Sequence, residues 1–164
     1  MTPFEIAQFA VQAVGVAALL LTLWVYYRQL CTMSEQLQAT RGAASAQNIL
    51  ALTSFLQAPE VRAARETVRV KLAKKDFSTW SEDERREASR VCSTYDVAAI
   101  IIRLGLVPSE PFVQNWGPSI RHCFEVTKHL IEEMQRPENS GSNYWDDFGW
   151  LYQQVVQGGQ QPAG

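Results

Sequence analysis

The chain has 164 residues, 46% of them hydrophobic and 20% charged, with a formal net charge of -2. So even a charge balance excludes a general nucleic-acid binder, and no nucleic acid is expected among its partners. The length allows one modest core beyond an N-terminal apolar run, and not two.

The chain opens on Thr2-Pro3-Phe4-Glu5, which reads as a capping box with proline at the first helical position. Residues 9–27 then contain no charged side chain. As a helix they extend roughly 28 Å, close to the ~30 Å hydrocarbon core of a bilayer. Trp24, Tyr26 and Tyr27 cluster at the far end, where amphipathic rings favour headgroups, and Arg28 follows. The basic residue comes after the apolar core and no small-residue exit follows, which argues against a cleavable signal peptide. Residues 1–27 are therefore expected to be a single-pass transmembrane anchor in contact with membrane lipid. Arg28 and Arg41 place the N-terminus outside and the remainder in the cytoplasm. Ala10, Ala13 and Ala17 form a stripe of small residues along which a second helix could pack.

From 28 to 57 the spacing of Leu30, Met33, Leu37, Ala44, Leu52 and Phe55 predicts a juxtamembrane helix continuing into the domain. Its repeat is too irregular for coiled-coil heptads. The helical domain proper is expected over 58–157. Pro59 restarts the chain into a helix reaching about residue 75, with Val61, Ala64, Val68 and Leu72 inward. The same helix holds Arg62, Arg65, Arg69, Lys71, Lys74 and Lys75 against Glu60, Glu66 and Asp76, the one basic concentration in the chain. Held near a bilayer, such a face suits anionic headgroups; the alternative is an ordinary solvated helix face whose long side chains cover the core edge. Ser81-Glu82-Asp83-Glu84 is a second capping box. It opens a central helix that ends at Gly105, with Ala88, Val91, Cys92, Tyr95, Ala98, Ala99 and Ile102 on one face. A short helical piece from Ser109 to Trp116 is expected to break at Gly117-Pro118. A longer helix then follows, its inner face Ile120, Cys123, Phe124, Thr127, Leu130, Ile131 and Met134. Residues 138–143 read as a loop, Tyr144 to Val155 as a closing aromatic helix, and 158–164 as a disordered tail.

Few constellations suggest chemistry. Asp96 and Arg103, two turns apart on the central helix, form a possible pocket or buried ion pair, because a charge there needs a partner. His122 and His129 stand at ligand-like spacing with Glu125, Glu132 and Glu133. At 100° per residue both histidines fall opposite the apolar face and point to water, so no metal is expected. Cys31, Cys92 and Cys123, odd in number and irregularly spaced, read as free buried thiols. No motif calls for a cofactor or assigns a catalytic residue.

Several short stretches carry a family likeness: Tyr26-Tyr27-Arg28-Gln29, Ala58-Pro59-Glu60-Val61-Arg62, Tyr95-Asp96, Arg103-Leu104-Gly105-Leu106-Val107, Phe112 to Trp116 and Phe148-Gly149-Trp150-Leu151. Together they resemble a bacterial family of small membrane-anchored, all-helical proteins classed only as a domain of unknown function. The resemblance implies a bacterial inner-membrane location and an all-α domain, and supplies no activity. The expected whole is all-α: one N-terminal transmembrane helix followed by a compact cytoplasmic bundle of about five helices. Its expected role is as an interaction module for a protein partner or its own copies, through Arg62, Arg65, Arg69, His122 and His129. Two other roles stay open: an enzyme or effector with a pocket around Asp96 and Arg103, and a membrane-perturbing effector that oligomerises through Ala10, Ala13 and Ala17.

Overall fold

Apolar residues recur at three- and four-residue spacing along most of the chain, and the elements that result are helices. The computed structural model describes the backbone of residues 3–139 and 143–158 and, within the first helix, the side chains of 15, 16 and 19 onward. Five α-helices follow in order: α1 Pro3–Leu56, α2 Pro59–Glu66, α3 Glu82–Arg103, α4 Ser109–Met134 and α5 Asp146–Gly158. After α2 the coil widens into a π-helical turn, Thr67–Lys71, then tightens into 3-10 turns at Leu72–Lys74 and Phe77–Thr79. Among the described residues there is no strand.

The transmembrane reading of residues 1–27 does not hold. Among the described residues no helix is long and apolar enough to cross a membrane. Among the described residues the fold is five α-helices, with α1 counted among them, in place of an anchor plus a five-helix bundle. Thr2 of the first capping box, the side chains of Ala10, Ala13 and Ala17, loop residues 140–142 and tail residues 159–164 lie outside the described residues.

Two compact units divide the chain, Met1–Ala44 and Ser45–Gly164. The first contains α1 to residue 44. Its described apolar side chains, from Val16 through Tyr27 to Leu37, are exposed, and Arg28 lies over the Trp24 ring at 5.4 Å. Leu30, Met33 and Leu37 therefore form no inner stripe, and Cys31 is exposed.

The second unit holds the core. Leu52 and Leu56 enter it from the end of α1, while Phe55, expected inside, stays exposed. Val61, Ala64, Val68 and Leu72 bury the inner stripe of α2 and the turns after it. All seven residues expected on the inner face of α3 are buried, whereas Val97, Ile100 and Leu104 are exposed, so α3 is central without being covered on every side. The Ser81 hydroxyl accepts the Glu84 amide, and the Glu84 carboxylate accepts the Ser81 amide in return. At the other end Gly105 takes φ +70. The Gly105 and Leu106 amides donate to the Ile102 and Ile101 carbonyls, closing a Schellman motif.

The expected break at Gly117-Pro118 is absent, and α4 runs through both residues. Pro118 removes one backbone donor, but its neighbour's lack of a side chain lets α5 approach: a Cβ on Gly117 would stand 3.3 Å from the Val155 Cγ1. Packing against α5 outweighs the local breaker. Phe148 and Leu151 seal the bundle from α5, with Phe148 stacked on Tyr95 at 5.2 Å and edge-on to Phe124 at 5.1 Å.

Candidate functional site

Arg62, Arg65 and Arg69 recur at three- and four-residue spacing, which places them along one side of α2 and its π-helical continuation. That side faces α4 across a groove of about 760 Å³, lined also by Glu66, Trp116, Ser119 and His122. The arginines are not equivalent. Arg62 and Arg69 are exposed, while Arg65 retains only 8% of its surface. The Trp116 ring covers it, with its centroid 4.7 Å from the Arg65 guanidinium carbon. Phe112, one turn earlier on α4, stacks behind Trp116 at 6.3 Å and holds it in place.

Below the groove the Tyr95 and Ser119 hydroxyls share a hydrogen bond of 2.9 Å. Burial raises the Tyr95 hydroxyl pKa above its ordinary value, and the Ser119 hydrogen bond and the nearby Arg65 oppose the shift without cancelling it. Tyr95 therefore enters this network as a neutral hydroxyl. Arg65 Nη1 is buried and has no hydrogen-bond partner.

His122 is half-buried against the π-helical turn rather than pointing to water. Its Nε2 lies 3.2 Å from the Arg69 carbonyl oxygen. A carbonyl only accepts, so Nε2 carries the proton and donates, and this fixes the tautomer. That carbonyl belongs to the π-helical turn, so His122 ties α4 to it. His129 is exposed, tilted on Phe77 at 6.0 Å and 3.6 Å from Glu132, on the far part of α4 and away from the groove.

Asp96 and Arg103 are drawn apart to serve α5. The Asp96 carboxylate accepts the Phe148 amide at 3.0 Å, and Arg103 pairs with Asp147 while lying over the Trp150 ring at 5.4 Å. Trp145, just before α5, adopts φ 56, an uncommon value for a residue with a side chain, and its indole N–H donates to the Ser93 hydroxyl at 3.0 Å. Ser93 and Asp96 on α3 thus position the first turn of α5. Cys92 and Cys123 are buried as expected, and burial pushes their thiols up to about 12 and about 11.

The sequence put Arg62, Arg65 and Arg69 forward as one basic face and His122 as part of another helix, and the fold brings the two to one groove. Trp116 and Ser119 were missed as site residues. Both sit on an α4 segment whose Gly-Pro pair hid the helix that presents them. A neighbouring groove of about 790 Å³, on the other side of Pro118, contains Arg121, but that arginine is already paired with Glu125 at 3.0 Å.

Residues 9–155 match the family model described as a domain of unknown function, DUF4760, and the chain belongs to that family. No curated protein and no solved structure matches it.

Proposed function

We propose that this member of the DUF4760 family is a helical interaction module that receives an acidic segment of a protein partner in the groove between α2 and α4. One observation carries the reading: the cations gathered in that groove lack carboxylate partners, while most others in the unit have one. Lys71 and Lys75 pair with Glu84, Arg85 with Glu133, Arg86 with Glu82, Arg90 with Glu87, Arg103 with Asp147, Arg121 with Glu125 and Lys128 with Glu132. Among the described residues Arg62, Arg65 and Arg69 have no such ion pair. Exposed ion pairs are worth little each, but a row of unneutralised arginines beside an indole favours a carboxylate-bearing chain, because fork-shaped donors and an aromatic face are what interface hot spots use.

Calorimetric titration of the full-length protein with an acetylated tetraglutamate peptide tests this. Binding should weaken as salt rises from low to physiological ionic strength, and should vanish in the Arg62→Glu, Arg69→Glu double variant. Both positions are exposed, so the variant should keep its fold, which circular dichroism checks. Equal binding by the double variant would refute the reading.

A further inference from the structure

We infer that the floor of this groove, at Arg65, Trp116 and Ser119, is a subsite for a phosphate monoester, a phosphorylated side chain of the docked partner. The inference rests on the groove being a docking surface and goes beyond it in naming the group that reaches the bottom.

Arg65 is the deepest of the three arginines, at 8% exposure, and its Nη1 has no acceptor. A guanidinium taken out of water without a counter-charge is strongly unfavourable, and neither of its neighbours supplies one. The Trp116 ring at 4.7 Å offers only its quadrupole, and the adjacent Tyr95 hydroxyl is neutral. The indole face over the guanidinium restricts its movement before a ligand arrives. Ser119 adds a hydroxyl that can accept from Tyr95 and donate into the groove.

Charge selects among anions. Three arginines against the single carboxylate of Glu66 leave an excess of two positive charges in the groove. A carboxylate neutralises half of that, whereas a phosphate monoester carries about −1.5 to −2 near neutral pH and offers three acceptor oxygens. Arg62 and Arg69, exposed at either side of Arg65 along the helix, supply the additional donors a tri-oxygen group needs.

Calorimetry on the full-length protein compares three probes: a short phosphoserine peptide, the same peptide with glutamate in place of phosphoserine, and vesicles containing phosphatidic acid. The phosphopeptide should bind one to one and at least about tenfold more tightly than its glutamate counterpart. Arg65→Gln should erase that preference, and Arg65→Lys should not restore it, because an ammonium lacks the planar fork. Should Arg65→Gln fail to fold, the exposed double variant Arg62→Gln, Arg69→Gln should show the same loss of preference. Equal affinity for both peptides would overturn the phosphate subsite and leave the acidic docking reading standing. Failure of both peptides would remove the two together. Arg65-dependent capture by the vesicles without phosphopeptide binding would move the site to a lipid headgroup and overturn the inference.

Discussion

Replacing Asp96 isolates what α3 contributes to the start of α5. The first amides of any helix lack intrahelical acceptors, and the residue before α5 is Trp145, which has no side-chain acceptor to offer. Asp96 supplies one from another helix, accepting the Phe148 amide at 3.0 Å. Loss of a capping acceptor costs about 1 kcal/mol, and leaving a half-buried amide without a partner adds about 1–2 kcal/mol. Asp96→Ala should therefore destabilise the protein by roughly 2–3 kcal/mol, a fall in melting temperature of about 6–12 °C for a domain of this size. Asp96→Asn should behave differently. Burial raises the Asp96 carboxyl above its ordinary 3.8, with the charges of Asp147 and Asp146 adding to the rise and the Phe148 amide opposing it. The position needs an acceptor more than a charge, and asparagine is an acceptor, so the cost should stay within about 0.5 kcal/mol. The sign with pH follows. A carboxyl whose folded value is raised contributes stability below about 3.8 that is lost as pH rises through the folded value. Wild type should thus lose ground to Asp96→Asn as pH rises from about 3.5 toward neutrality. Urea and thermal unfolding followed by circular dichroism measure the stabilities, and hydrogen exchange over residues 144–158 reports the Phe148 amide. Equal destabilisation by Ala and Asn, or unchanged exchange at α5 in Asp96→Ala, would refute the capping argument.

Further expectations follow from the rest of the unit. The Glu84 carboxyl is held down to about 2 from an ordinary 4.5, first by Lys75 at 2.6 Å and then by the Ser81 amide. Its stabilisation is complete above about 4.5 and is lost as pH falls through about 2, so Glu84→Gln should flatten the acid limb of stability against pH in that window. Gly149→Ala places a Cβ at an ordinary 3.9 Å from Phe124 and should stabilise α5 by about 0.5–1 kcal/mol in urea unfolding. Gly117→Val should destabilise by about 1–3 kcal/mol, because a Cβ there already stands 3.3 Å from Val155. With Cys92 and Cys123 buried and their thiols pushed up to about 12 and 11, a thiol reagent at about pH 8 should modify only Cys31 in the folded protein, and all three cysteines in urea.

What could be read from the chain was what its neighbours in sequence decide. The seven inner residues of α3, its Ser81–Glu84 box and its Gly105 terminus depend on contacts within a few residues, and each stands where the pattern put it. The readings that failed depend on distant partners. Gly117-Pro118 looks like a stop until Val155 of α5 fills the space beside it. Asp96 seemed to need an arginine nearby, yet its acceptor role is taken up 52 residues away by Phe148. Arg65 was indistinguishable from Arg62 and Arg69 as one of a basic row, and only the indole of Trp116 sets it apart. The π-helical turn at Thr67–Lys71 had no local signature, since its residues are compatible with an ordinary helix, and His122, which donates to the Arg69 carbonyl within it, comes from another helix.

The two arginines that most resemble functional residues have opposite fates, and the contrast decides where a ligand could act. Arg103 meets Asp147 and the face of Trp150, and Asp96 meets the Phe148 amide. Each of these charges is engaged in placing α5, so a substrate arriving there would have to displace a structural partner before gaining one of its own. Arg65 also has an aromatic face, but no carboxylate, and one of its nitrogens is buried without an acceptor. An incoming oxyanion at Arg65 would have no carboxylate to displace. With similar side chains in both places, the absence of a carboxylate partner at Arg65 is what favours the α2–α4 groove over the α3–α5 junction as the proposed anion site.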